Sequence, residues 1–223
     1  MVFYQILFII VALGSIVVGS LGALKQVRIK RFLAYTSISQ IGFILLGVSS
    51  GTILGLFASI MFLTIYIIMS LIFFGVFLNI NHIVSKKNIV YLSDLYGFNY
   101  YVDETSKYLS LSILSMAGLP PFGGFIGKLF VYFAIIESRF DSILIITLVM
   151  SLISTYYYLN IIRHSFFEKH SESKLYFYIK KFELILLLRI CSLILILFPI
   201  FLPKYIDFFL KMSFSCLYPF VFF

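Results

Sequence analysis

Charge is what this sequence has least of. Asp, Glu, Lys and Arg make up 12% of its 223 residues, against 62% hydrophobic residues. A soluble domain needs more polar residue than that to cover its exterior. Cysteine is nearly as scarce. Cys191 and Cys216 stand far apart with no metal-ligand spacing around either, and both read as packing residues. His82, His164 and His170 are scattered through polar connections, which argues against a metal site. Glycine-rich phosphate loops and nucleophile constellations are missing from the sequence, so neither redox nor covalent chemistry is expected of this chain.

Long charge-free runs are what it has in their place. Residues 1–24, 32–85, 108–127 and 142–162 contain no Asp, Glu, Lys or Arg. A hydrocarbon core of about 30 Å is crossed by roughly 20 apolar residues in a helix. The second run is long enough for two spans joined by the turn Ser49-Ser50-Gly51-Thr52. The pattern predicts an all-α polytopic membrane protein with six spans, at 3–24, 32–49, 52–79, 108–137, 142–163 and 179–202. Residues 1–202 form one transmembrane domain in this reading. Residues 203–223 form an aromatic tail suited to the membrane–water interface. Met1 leads almost directly into the first span, so no signal or transit peptide is expected ahead of it.

Six spans place alternate connections on opposite faces. Lys25, Arg28, Lys30, Arg31, Lys86, Lys87, Lys107, Arg163, Lys169, Lys174, Lys180 and Lys181 share one face, while Arg139, Lys204 and Lys211 share the other. Such a bias orients the 25–31, 80–106 and 164–178 connections towards the compartment of synthesis and both termini away from it. The net charge of +8 follows from these connections. With no basic patch on a soluble domain, no nucleic-acid partner is implied.

Two basic residues remain, Lys128 and Arg189. Arg189 is assigned to Glu183 or a lipid phosphate. Lys128 ends the segment GLPPFGGFIGK, residues 118–128, inside the fourth span. At 1.5 Å per residue it lies ~15 Å from the far face, too deep for comfortable snorkelling. Pro120 and Pro121 remove two amide donors, so the helix is predicted to break at Leu119–Pro121. Gly118, Gly123, Gly124 and Gly127 allow an irregular path. Unpaired backbone at that depth must be buried in protein or line water, and broken spans recur in ion-handling transporters for that reason. Lys128 is read as opening the second half-helix, at its positive end, where a group that gains and loses a proton would sit. A proline kink alone is usually structural, and a membrane lysine alone can simply pair with a carboxylate. Together at mid-depth they favour an ion or proton pathway. Tyr66 and the Tyr156–Tyr158 triple are weaker candidates, since tyrosines in spans mostly pack.

Two stretches also carry a family likeness. KRFLAYTSISQIGFILLG (30–47) resembles a signature of the antiporter-like subunits of respiratory complex I, NADH:ubiquinone oxidoreductase. MAGLPPFGGFIGKLFVYFA (116–134) looks like their discontinuous twelfth helix. YLSDLYGF (91–98) and STYYYLNIIR (154–163) are similar to the flanking segments, the latter in the subunit-2 type, the bacterial N subunit. The subunit-4 type has a glutamate where Lys128 stands. Histidines usual in related subunits are Tyr66 and Gln40 here. The likeness covers only helices nine to fourteen of about fourteen: the second five-helix repeat over 1–163 and the final helix over 179–202.

By that resemblance, Lys128 is the proton carrier of a second half-channel that discharges away from the basic face. Tyr66 is a candidate polar relay, and Lys30 and Arg31 are anchors on the matrix side. The chain would be the C-terminal portion of a divided subunit, in the mitochondrial inner membrane with both termini towards the intermembrane space. The abundance of Phe, Ile, Tyr and Lys fits an AT-rich organelle gene. NADH, FMN, Fe–S clusters and ubiquinone belong to other subunits, and this chain itself holds no cofactor. The implied partners are the other membrane-arm subunits, a separate chain supplying the front helices, and lipids such as cardiolipin. Two rivals stand beside this reading: a subunit of a multi-subunit cation/proton antiporter, and a structural subunit with an inert half-channel.

Overall fold

A computed structural model describes residues 2–82, 90–101, 103–167, 177–179 and 185–196; side chains are described for these except 2–3, 78–82, 100–101 and 177–179. The chain runs α1 (Val2–Leu24), α2 (Ile29–Ser49), α3 (Ile53–Asn79), β1 (Ile80–His82), a 3-10 turn (Leu92–Leu95), α4 (Phe98–Tyr101), α5 (Asp103–Ala117), α6 (Gly123–Glu137), α7 (Asp141–Phe166) and β2 (Phe177–Ile179). It ends, among the described residues, in α8 (Ile185–Ile196). Four of these helices, α1, α2, α3 and α7, are long and apolar enough to cross a membrane. The fourth expected span is the pair α5 and α6, each 15 residues long.

The predicted spans and the observed helices differ at several boundaries. α2 starts at Ile29, so Lys30 and Arg31 lie in its first turn and not in the connection. Both are exposed there. Cations at a helix N-terminus oppose the dipole, so they do not stabilise the helix itself. α5 begins at Asp103, before the expected boundary, with Lys107 bonded to Asp103 at 2.6 Å one turn along. Ile179, expected to open the last span, is in β2. Of that span 185–196 is helical; 180–184, 197–202 and the aromatic tail, with Cys216, lie outside the described residues.

β1 and β2 pair antiparallel, Ile80 with Ile179 and His82 with Phe177. Among the described residues this ribbon is the one departure from an all-α chain. It joins two connections at the basic end, beyond the helices, where backbone groups not used in a helix must find other partners. The same end is tied by Ile29 N–H to Val90 O, Leu92 N–H to Val27 O and Gly97 N–H to His164 O. The 25–31, 80–106 and 164–178 connections therefore share one face, as the charge count required.

α3 is the central helix, packing on α2, α5 and α6, while α7 covers α5 and α1. Its Met61, Phe62, Ile65, Met69, Ile72 and Phe73 are all buried. Outward positions such as Ile10, Ile60, Leu71, Ile145 and Leu152 are exposed. An apolar exterior around an apolar core is what lipid demands of a spanning bundle. Hydroxyls inside the spans are mostly neutralised locally. Ser15, Thr36, Ser49, Ser112 and Thr147 each donate to the carbonyl three residues back, at 2.7–3.0 Å. They carry no functional signal. Arg189 finds Glu104 at 3.3 Å and the Tyr108 hydroxyl at 3.2 Å, which fastens α8 to α5. The expected partner Glu183 lies outside the described residues.

The tightest helix contact is α1 on α2. A Cβ at Gly19 would stand 2.5 Å from the Ser39 amide nitrogen and 2.8 Å from the Tyr35 carbonyl oxygen. Small residues allow this approach where no hydrophobic force drives helices together. Gly19→Val is expected to splay the pair and destabilise the protein by about 1–3 kcal/mol, the usual range for overpacking. The check is the midpoint of thermal unfolding in detergent, which should fall, whereas Val18→Leu on the lipid face should leave it in place.

Candidate functional site

The site is assembled where the fourth span breaks. α5 ends in a left-handed residue, Gly118, with φ +80°. Its amide donates to Ser115 O at 3.0 Å and the Leu119 amide to Leu114 O at 3.3 Å, the pair of bonds that closes a helix with glycine at its end. A helix terminus leaves four carbonyls without intrahelical partners, and two are satisfied by this turn. The other two, on Met116 and Ala117, each accept a hydrogen bond from the Lys128 amine at 3.1 Å. The chain stays out of helix from Gly118 to Phe122, with Pro120–Pro121 in the cis form. α6 then starts at Gly123, and its second amide, on Gly124, donates to the Ser115 hydroxyl at 3.1 Å. A Cβ on Gly124 would run into the Ser115 carbonyl, and one on Gly118 would stand 3.0 Å from the Lys128 side chain. The break is thus stitched from both sides, and its glycines are fixed by close approach.

Lys128 is 4% exposed. Its place differs from the sequence expectation: α6 begins at Gly123, so the lysine is in the second turn, beyond most of that helix's dipole. The amine reaches back across the gap to the negative end of α5. The Phe43 ring lies 5.3 Å below the amine nitrogen, close enough for a cation–π contact. Among the described residues no carboxylate pairs with it.

Gln40 completes the site. It is 2% exposed, and its amide donates to Met116 O and to the Tyr158 hydroxyl, both at 3.3 Å. Gln40 and Lys128 therefore share one acceptor. The Gln40 carbonyl oxygen has no hydrogen-bond partner. Beside it is a cavity of about 20 Å³ whose walls include Ser37, Tyr66, Ser70 and Tyr158, enough for about one water. Tyr66 is brought to the far side of that cavity and not to Lys128 itself. Of the tyrosine triple, Tyr158 is fully buried in the site, Tyr157 packs beneath it and Tyr156 faces outwards. Ser115 was not singled out from the sequence, and Tyr158 only as a member of the triple. Ser115 has no signal there, whereas Tyr158 could have been sorted from its neighbours by helical phase.

An apolar bundle with a broken helix closed over a buried amine defines the class by structure: a multi-span membrane subunit with a discontinuous helix. The profile described as NADH:quinone oxidoreductase/Mrp antiporter, transmembrane, matches residues 1–154, and the chain belongs to that family. It is 34% identical over 216 residues to the NADH-quinone oxidoreductase subunit N of Ruthia magnifica, covering 96% of this chain and 42% of that protein. A chain of respiratory complex I from Thermus thermophilus superposes with a TM-score of 0.74 at 25% identity, over 87% of this chain and 43% of the other. A chain of an archaeal membrane-bound sulfane sulfur reductase shares the fold, with a TM-score of 0.82 at 22% identity, over 94% of this chain and 42% of that one. The chain thus spans less than half the length of the relatives it matches.

Replacing Gln40 by Leu at similar volume removes the bonds to Met116 O and to the Tyr158 hydroxyl and leaves that hydroxyl to the Thr36 side chain. A loss of about 0.5–1.5 kcal/mol per bond is expected, read as a lower unfolding midpoint. Gln40→His, which can still donate from a ring nitrogen, should recover most of it.

Proposed function

We propose that this chain is a proton-translocating membrane-arm subunit of NADH:quinone oxidoreductase, with Lys128 as the proton carrier of its half-channel. The observation that carries the reading is a lysine amine buried at membrane depth among carbonyls, with no carboxylate among the described residues to hold its charge permanently. Such a group is expensive as mere structure. In this role Lys128 takes up and releases the proton. The carbonyls of Met116 and Ala117 receive the ammonium, and Gln40 holds the Met116 carbonyl in place. Tyr66, across the one-water cavity, makes the lateral polar connection. Lys30 and Arg31 anchor the basic face, where they suit anionic headgroups such as cardiolipin.

The redox steps, with NADH, FMN, Fe–S clusters and ubiquinone, belong to other subunits and would drive the proton movement here. The subunit-2 type of the resemblance agrees with the named relative, a bacterial subunit N. In this reading a separate polypeptide supplies the front helices of such relatives. Residues 1–163 form the second repeat, and the span that contains the helix Ile185–Ile196 is the final one. The bias towards Phe, Ile, Tyr and Lys favours a mitochondrial inner membrane location, with the basic face towards the matrix. A cation/proton antiporter subunit is the second reading, favoured by the family's inclusion of Mrp antiporters.

Lys128→Gln separates the roles. A glutamine amide can still donate to the α5 carbonyls but cannot carry the proton. The complex should assemble in normal amount while proton pumping with NADH falls. Normal pumping by an assembled Lys128→Gln complex would refute the assignment, and sodium- or potassium-driven proton flux without NADH would favour the antiporter.

A further inference from the structure

A second cavity, of about 210 Å³, opens at the basic end of the bundle and takes no wall from Lys128, Gln40 or Tyr66. It lies between the α1–α2 connection, the 3-10 turn and the last turns of α7. The connection and the turn are held together by the Ile29 amide on Val90 O and the Leu92 amide on Val27 O. Ala23, Phe32 and Ile161 form a buried apolar inner wall. The polar walls are Gln26, Ser93, Tyr96, Asn160 and His164. All five side chains carry hydrogen-bond donors. Gln26 gives one of its two amide hydrogens to Gly22 O, at 3.0 Å. Among the described residues no carboxylate lines the cavity. Asp94, beside Ser93, is turned to the Val90 and Tyr91 amides.

Two features say what enters. The first is charge. Lys25 and Arg28, both exposed, flank the wall residues Gln26 and Val27. Donors inside and cations at the rim suit an anion with several acceptor oxygens, such as a phosphate. The second is the apolar surface outside the mouth. Leu24 and Val27 line the cavity yet stand 40% and 61% exposed. Leu21 lies one turn deeper than Leu24 on α1, and Tyr156 and Val149 lie deeper than Asn160 on the same side of α7. All three are exposed. α1 and α7 pack on each other there, with the Ser20 hydroxyl 3.4 Å from the Met150 sulfur. Both apolar strips therefore descend from the mouth along the outer side of one helix pair. A free phosphate makes no use of that surface, whereas an acyl chain does.

We propose that this cavity binds the headgroup of an anionic phospholipid, whose acyl chain lies along the outer side of α1 and α7. Gln26, Ser93, Asn160 and His164 donate to the phosphate and glycerol oxygens, and Lys25 and Arg28 supply the opposite charge at the rim. A cavity of ~150 Å³ already holds a benzene-sized molecule, so 210 Å³ admits a phosphoglycerol group. The site is separate from the anchoring given to Lys30 and Arg31, which line no part of it. It stands whether or not Lys128 carries a proton. A lipid held here joins three segments far apart in sequence: the α1–α2 connection, the 3-10 turn and the end of α7. Because it binds only the folded bundle, it stabilises that arrangement by mass action.

The test uses the intact native complex, washed free of lipid in mild detergent. It is mixed with phosphatidylglycerol carrying a photoreactive diazirine near the start of one acyl chain. Phosphatidylcholine with the same chain is the comparison. After illumination and digestion, the labelled residues of this chain are mapped by mass spectrometry. Phosphatidylglycerol is expected to label α1 near Leu21 and Leu24, and α7 near Tyr156, several-fold more strongly than phosphatidylcholine does. Equal labelling by the two probes, or labelling only elsewhere on the chain, would overturn the proposal. Asn160→Leu removes a donor from the cavity without changing the surface charge. It should lower labelling at these residues several-fold and leave labelling elsewhere in place. Unchanged labelling there in an assembled Asn160→Leu complex would put the headgroup outside the cavity and sink the assignment. If that variant does not assemble, Ser93→Ala is read in the same way. Loss of the labelling on adding inorganic phosphate would make a free phosphate the occupant and overturn the lipid assignment.

Discussion

The structure turns on two hydrogen bonds, from the Lys128 amine to the carbonyls of Met116 and Ala117. A helix cut in mid-membrane exposes carbonyls that lipid cannot satisfy. The Gly118 turn closes two of them, and the lysine closes the rest from the other side of the gap. Remove the amine and the break loses its seal; remove the break and the amine has nowhere to sit. Structure and proposed chemistry meet in the same pair of contacts. The two bonds lose their charge assistance when the amine gives up its proton, which weakens the hold on the carbonyl end of α5, so a protonation event has a direct mechanical address.

That arrangement also explains why the surrounding residues are small or amide-bearing. Gly124 lets α6 start against the Ser115 carbonyl, and the Ser115 hydroxyl caps the new helix at that crossing. Gly127 lies against Phe62 and Ile65 of α3, which seats the lysine's own helix. Gln40 steadies Met116 while leaving its own carbonyl oxygen facing the one-water cavity. None of these groups is ionisable. The site concentrates its titratable function in one residue and surrounds it with fixed dipoles.

Much of this was legible in the sequence, and the reasons are physical. Spans follow from charge-free length, and the break follows from two prolines that cannot donate. The shared basic face followed from counting Lys and Arg. What the sequence could not show was direction across the gap. Spacing alone put Lys128 at the positive end of its own half-helix, whereas its four-carbon stem lets it answer the negative end of α5. Arg189 was assigned to Glu183 or a lipid phosphate, and among the described residues it meets Glu104, because α8 packs on α5. Lys30 and Arg31 were placed in a loop, since polar character marks the membrane boundary and not the helix end. The β1–β2 ribbon joins connections nearly a hundred residues apart, a pairing no local pattern announces.

The central claim is that this chain contributes half of a working proton pathway. The most direct measurement is purification of its native complex in mild detergent, with an NADH:quinone activity assay and identification of every co-migrating membrane polypeptide. The account predicts activity together with a second chain that supplies the front helices. An active complex with no such chain would contradict it, leaving Lys128 as the seal of a broken helix and this chain as a structural subunit.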